Sequence, residues 1–81
     1  MNTNCIPPMP LSRLAETRQA HIHAVETDKA TRIRLLGMGL GKGSRIRILR
    51  NRFGDVVLGN GHNRISLGRS ITERILVQEQ E

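Results

Sequence analysis

Three histidines, one cysteine and seven carboxylates are the side chains from which this 81-residue chain could build an active site or a metal centre. His21-x-His23 places two imidazoles on one face of a strand, because side chains alternate along a strand with a period of two. A zinc site needs three or four such ligands, and only His62, Cys5 and isolated carboxylates remain to complete the set. The pair therefore reads as solvent-facing strand histidines, and no metal or other cofactor is expected. No two carboxylates stand at a legible acid–base spacing, and no nucleophile stands beside a base. The chain is expected not to be an enzyme.

A second chemical candidate is Gly37-Met38-Gly39-Leu40-Gly41-Lys42-Gly43, which invites comparison with a phosphate-cradling loop. Such a loop follows a strand and opens a helix, so that helix N-terminal amides point at the phosphate. Here the glycines follow a predicted helix and precede a predicted strand. They read instead as a helix C-terminus and a tight loop that need residues tolerant of positive φ. Leu36, Met38 and Leu40 flank this loop, and an apolar side chain at its rim would form a small docking patch.

Charge is the third candidate. Thirteen Lys and Arg oppose seven Asp and Glu, for a net charge of +6. Between Lys29 and Arg52 stand two lysines and six arginines with no acidic residue. Such a run suits phosphate, an anionic membrane surface, an acidic protein or simply solvent, and charge alone does not choose among them. The aromatic content is one residue, Phe53, so base stacking has almost nothing to work with and the core must be aliphatic.

The elements that would position these groups follow from periodicity. Residues 1–8 read as a flexible tail containing Pro7 and Pro8. Ser12 is placed to cap one helical turn that turns Leu11 and Leu14 inward. Residues 19–27 alternate as a strand, with Ala20, Ile22 and Ala24 on one face. Asp28 then offers an N-cap to a helix of about ten residues, with Ala30, Ile33 and Leu35 or Leu36 facing inward. Residues 44–49 alternate again, with Ile46 and Ile48 inward and Arg45 and Arg47 outward. Gly54-Asp55 and Asn60-Gly61 mark turns around Val56-Val57-Leu58, and a returning strand carries Ile65 and Leu67. Ser70 to Glu73 fits a capping box, and Ile75-Leu76-Val77 closes a domain over residues 9–78, with 79–81 as a tail. About five short strands around a small core predict a mainly β, partly closed barrel rather than a layered α/β sheet.

The chain is about half the length of a common single domain, which leaves room for one fold. The first residues lack the basic-then-apolar pattern of a signal peptide, and no window approaches the length of a membrane span. With a single cysteine as well, a reducing, cytoplasmic setting is expected.

Taken in order, Pro10-Leu11-Ser12-x-Leu14, Arg34-Leu35-Leu36-x-Met38-Gly39-Leu40-x-x-Gly43-Ser44, Ile46-x-Ile48-Leu49-Arg50, Gly54-Asp55, Leu67 and Ile75-x-Val77 resemble the ferrous iron transport protein A (FeoA) family of the bacterial Feo system. The resemblance spans residues 9 to 78. It departs at Lys42, where the family has proline, at Gly68, where a basic residue is usual, at Thr72, where alanine is usual, and in a shortened 52–61 segment. The resemblance implies an SH3-like barrel and a cytoplasmic, non-enzymatic accessory of ferrous iron uptake. Its implied partner is the cytoplasmic part of the membrane transporter, ferrous iron transport protein B. The same barrel occurs as a domain of iron-dependent repressors, whose helix-turn-helix this chain lacks. Met38 and Leu40 at the loop, with the outward Arg45 and Arg47, are the expected protein contacts, since most strand aliphatics are needed for the core. The alternative is a small basic nucleic-acid-binding or iron-responsive regulatory module, although no specific nucleic acid partner is expected and oligomeric state is not legible.

Overall fold

The computed structural model describes residues 7–79, so Cys5 and most of the expected 1–8 tail lie outside the described residues. Six antiparallel strands form one sheet in the order β1-β6-β2-β3-β4-β5. They span Met9–Pro10 (β1), Gln19–Val25 (β2), Arg45–Arg52 (β3), Asp55–Asn60 (β4), Asn63–Leu67 (β5) and Ile75–Glu79 (β6). A 3-10 turn, Leu11–Arg13, follows β1 and packs against both β4 and β6, so the sheet curls over its own inner face. This is the predicted SH3-like, mainly β architecture, although the sheet is not closed. The strand beyond the expected five is β1, two residues that are too short to show a pattern. β6 continues to Glu79, past the expected domain end at 78.

Alternation builds the core. Ala20 and Ile22 of β2, Ile46 and Ile48 of β3, Val56 and Leu58 of β4, and Ile75 and Val77 of β6 are all buried on the inner face. Leu11 and Leu14 close over them as expected, and the core contains no aromatic ring. Burial of each aliphatic contributes about 1.5–3 kcal/mol, which makes a thin core such as this sensitive to single deletions.

Two bulges adjust the ladder. Ile22 pairs with Val77 but Ala24 pairs with Leu76, which leaves His23 as an extra residue in β2. Ile48 pairs with Leu58 but Arg50 pairs with Val57, which leaves Leu49 as an extra residue in β3. Beyond Leu49 the inward parity shifts from even to odd positions, so Asn51 points in. Its side-chain amide donates to the carbonyls of Ser12 and Leu14 at 2.9 and 2.8 Å, while its Oδ1 accepts from Gly54 N–H at 3.0 Å. Its backbone N–H donates to Glu16 at 2.9 Å. One side chain thus ties the N-terminal turn to the β3–β4 hairpin.

Helix α1, Lys29–Gly37, starts where Asp28 accepts from the Thr31 backbone N–H at 3.3 Å and from the Thr31 hydroxyl at 2.6 Å. Only Leu35 on this helix is buried, whereas Ile33 and Leu36 are each 57% exposed and Ala30 faces solvent. The expected inward stripe is therefore absent, because α1 touches the core only at its C-terminal end. Helix α2, Arg69–Thr72, is one turn. Its N-cap is Gly68 and not Ser70, and the cap acceptor is Asp55 Oδ1, 2.9 Å from the Arg69 N–H. Both hairpin turns sit one residue from their expected places. Phe53 and Gly54, with φ of 53° and 94°, occupy the β3–β4 turn, and Gly61 with His62 forms the β4–β5 turn. The first has positive φ at both central residues, as a type I′ turn requires.

Candidate functional site

The loop after α1 is a helix terminus. Gly39 N–H donates to Leu36 O at 2.9 Å and Leu40 N–H to Leu35 O at 2.8 Å, which is the bond pair of a Schellman motif. Gly39 has φ +86°, and a Cβ there would stand 2.6 Å from Asn60 Nδ2, which donates to the Gly39 carbonyl at 2.9 Å. The positive φ favours glycine at this position, and a side chain there would also displace the Asn60 amide from its bond. The loop amides that a phosphate would need are already engaged: Gly39 and Leu40 donate to α1 carbonyls, Gly41 N–H donates to Ser44 Oγ at 3.0 Å and Gly43 N–H to Ile22 O at 2.7 Å.

This motif also decides where Leu40 goes. A Schellman terminus brings an apolar residue just past the glycine back onto the last turn. Leu40 is 0% exposed and shares the core cluster with Leu35. The expectation that the Leu40 side chain lies free at the surface is thus corrected, and Met38 is half-buried against the same cluster. The apolar side chain at the loop surface is Leu36, which lies across Gly41 so closely that a Cβ there would meet Leu36 Cδ2 at 2.5 Å.

Arg45 and Arg47 stand exposed on the outer face of β3, as the alternation predicts. The long basic run does not form a single surface. Lys29, Arg32 and Arg34 ride on α1, while the β3 arginines form a separate face together with Arg64 of β5. In register, Arg47 pairs with Gly59 and Gly59 with Arg64, so two guanidinium side chains flank a position without a side chain. The next row is Arg50, Val57 and Ser66. The bulge turns Leu49 outward as well, 42% exposed, where it forms the apolar wall shared by two shallow grooves. The first, about 350 Å³, is lined by Arg45, Arg47 and Arg64 with His62 at its end, and no acidic side chain lines either. Among the described residues, none of these arginines forms an ion pair. Arg64, Gly59 and Leu49 were not legible as site residues, because their meeting depends on register and a bulge rather than on spacing.

The three histidines are dispersed. His21 is half-buried in β2, His23 is the exposed bulge residue and His62 lies at the β4–β5 turn. Among the described residues no three His, Cys, Asp or Glu side chains are grouped to hold a metal ion. No helix of the described residues is long and apolar enough to cross a membrane.

Residues 9–79 match the FeoA domain. The chain belongs to the FeoA family. It is 26% identical over 72 residues to the "Putative Fe(2+) transport protein A" of Methanocaldococcus jannaschii, covering 89% of this chain and 88% of that one. The solution structure of the FeoA protein from Chlorobium tepidum superposes with a TM-score of 0.82 at 28% identity, covering 90% of this chain and 71% of that one. A crystal structure described as an iron uptake regulatory protein (FeoA) gives 0.82 at 22% identity, over 93% of this chain and 100% of that one, and shows the shared fold. T. acidophilum IdeR shares the fold as well, at 0.82 and 19% identity, but this chain covers only 37% of it. FeoA proteins are small proteins associated with ferrous iron transport, and this FeoA domain carries the family's SH3-like fold.

Proposed function

We propose that this FeoA protein is a cytoplasmic, non-enzymatic accessory of ferrous iron uptake that acts by contact with the cytoplasmic part of the membrane ferrous-iron transporter, ferrous iron transport protein B. The observation that carries this reading is the arginine face of β3 and β5. It gathers cations without a single neutralising acid in its grooves, on a domain whose described residues assemble no metal-ligand cluster. An unpaired cationic surface of this kind steers association with an acidic partner. Arg45 and Arg47 serve as direct contacts, with the half-buried Met38 at the loop rim. Leu40 serves from behind, by fixing the loop.

Pull-down of the transporter's purified cytoplasmic domain tests this directly. The native chain retains it, and a variant carrying Arg45→Glu with Arg47→Glu loses it while its melt is unchanged. Equal retention by that variant removes the arginine face from the contact, and normal anaerobic Fe²⁺ uptake in a deletion strain removes the role itself.

A further inference from the structure

β5 is the last strand of the sheet, and its outer edge pairs with no strand among the described residues. In a hairpin closed by two turn residues, the flanking pair Asn60 and Asn63 exchanges both backbone hydrogen bonds, and such pairs then recur at every second position. The backbone groups of Asn63, Ile65 and Leu67 therefore point toward β4. Those of Arg64 and Ser66 point away from it, toward open space.

The side-chain rows make this edge specific. A strand laid beside β5 continues two rows that end on Arg64 and Ser66. One row runs from Arg64 through Gly59, which has no side chain, to Arg47, and the other from Ser66 through Val57 to Arg50. The residue opposite Arg64 therefore meets a guanidinium directly, whereas Arg50, about 14 Å away at three strand spacings, adds only to the positive field over the face. Its intervening side chains lie beside Ile65, which is half-buried against the core. No acidic residue lines this face to repel such a visitor.

We propose that the free edge of β5 captures an extended protein segment in which acidic and apolar residues alternate, adding it to the sheet as a seventh strand. This rests on the reading that the protein acts by contact, and it supplies the chemistry of the partner segment. Backbone hydrogen bonds give the affinity, and the arginine rows select the acidic side chains. A phosphodiester chain meets the same charge but has no use for the exposed N–H and C=O groups, and the face carries no Phe, Tyr or Trp for a base to stack on.

A fluorescein-labelled peptide of alternating valine and glutamate, about seven residues long to match a strand, is titrated into the full chain and followed by anisotropy. It is expected to bind, and the valine–lysine counterpart is expected not to. Arg64→Glu weakens binding by about tenfold or more, as loss of a close charge pair does. Ser66→Pro deletes an N–H that nothing in the fold uses, so it abolishes binding without changing the melt. A backbone N-methylated peptide against the native chain reads the same bonds without altering the protein, and it too should fail. Absence of binding by the acidic peptide overturns the proposal, as does equal binding of the methylated peptide. Tighter binding of a single-stranded oligonucleotide than of the peptide reassigns the face to phosphate. The transporter pull-down is scored separately. Peptide capture without pull-down sinks the proposed partner and leaves the edge, whereas a Ser66→Pro chain that still retains the transporter domain sinks the edge and leaves the partner.

Discussion

Thr72 Oγ1 donates a 2.6 Å hydrogen bond to the carbonyl of Gly54, and through it the single turn of α2 holds the tip of the β3–β4 hairpin. Thr72 is 0% exposed and is the buried polar residue of the core. Gly54 has no room for a side chain, since a Cβ would stand 2.5 Å from Arg69 Cγ. An alanine at position 72, which the resemblance to the family leads one to expect, could not make this bond.

Thr72→Val keeps the shape and leaves the Gly54 carbonyl without its partner. The expected loss is about 1–3 kcal/mol of unfolding free energy in a urea titration, because a buried acceptor loses its donor. A change below the error of the titration would mean that water reaches the carbonyl.

Leu40→Ala and Leu36→Ala separate core from surface at the loop. The first deletes a fully buried side chain and is expected to cost about 2–5 kcal/mol, enough to unfold most of so small a domain. Leu36 is mostly exposed, so its truncation should shift stability by less than about 1 kcal/mol. Circular dichroism melts of the two variants decide, and a stable Leu40→Ala chain contradicts its place in the core.

Phe53 is 92% exposed with φ of 53°, so an aromatic side chain occupies a left-handed position and packs on almost nothing. Asn accepts that conformation more readily than any residue with a bulky Cβ substituent. Phe53→Asn is expected to stabilise the domain by about 0.5–1 kcal/mol, read as a raised melting temperature.

Asp28 has its acidity strengthened chiefly by the Thr31 hydroxyl, with the Thr31 backbone N–H adding to it, so its folded pKa lies below the ordinary value of 3.8. A depressed carboxylate stabilises the fold above the unfolded pKa. That contribution is lost as pH falls from about that value through the folded one. α1 should fray over this acidic window, seen as a loss of helical dichroism, and Asp28→Asn should remove that part of the pH dependence while keeping a neutral cap.

β3 was legible because charged and aliphatic residues alternate through Arg45, Ile46, Arg47 and Ile48, which has one buried solution, and β4 and β6 were legible as the short aliphatic runs Val56-Val57-Leu58 and Ile75-Leu76-Val77. Asp28 was legible because its cap is local. The failures share a cause: the deciding partner lies far along the chain. Asn60 looked like a turn residue but closes the ladder opposite Asn63, and its amide reaches the Gly39 carbonyl. Asp55 likewise leaves the turn to cap α2 fourteen residues later. Ile33 and Leu36 keep helical spacing on a helix that has no core beneath them. On the candidate face, Arg45 and Arg47 followed from alternation, but Arg64 joined them through a pairing register that local pattern does not encode.

Met9 pairs with Val77, so the two ends of this sheet enter and leave side by side. A module whose chain ends lie on neighbouring strands can be inserted into a single loop of a longer polypeptide, its two junctions lying close enough together not to pull the host apart.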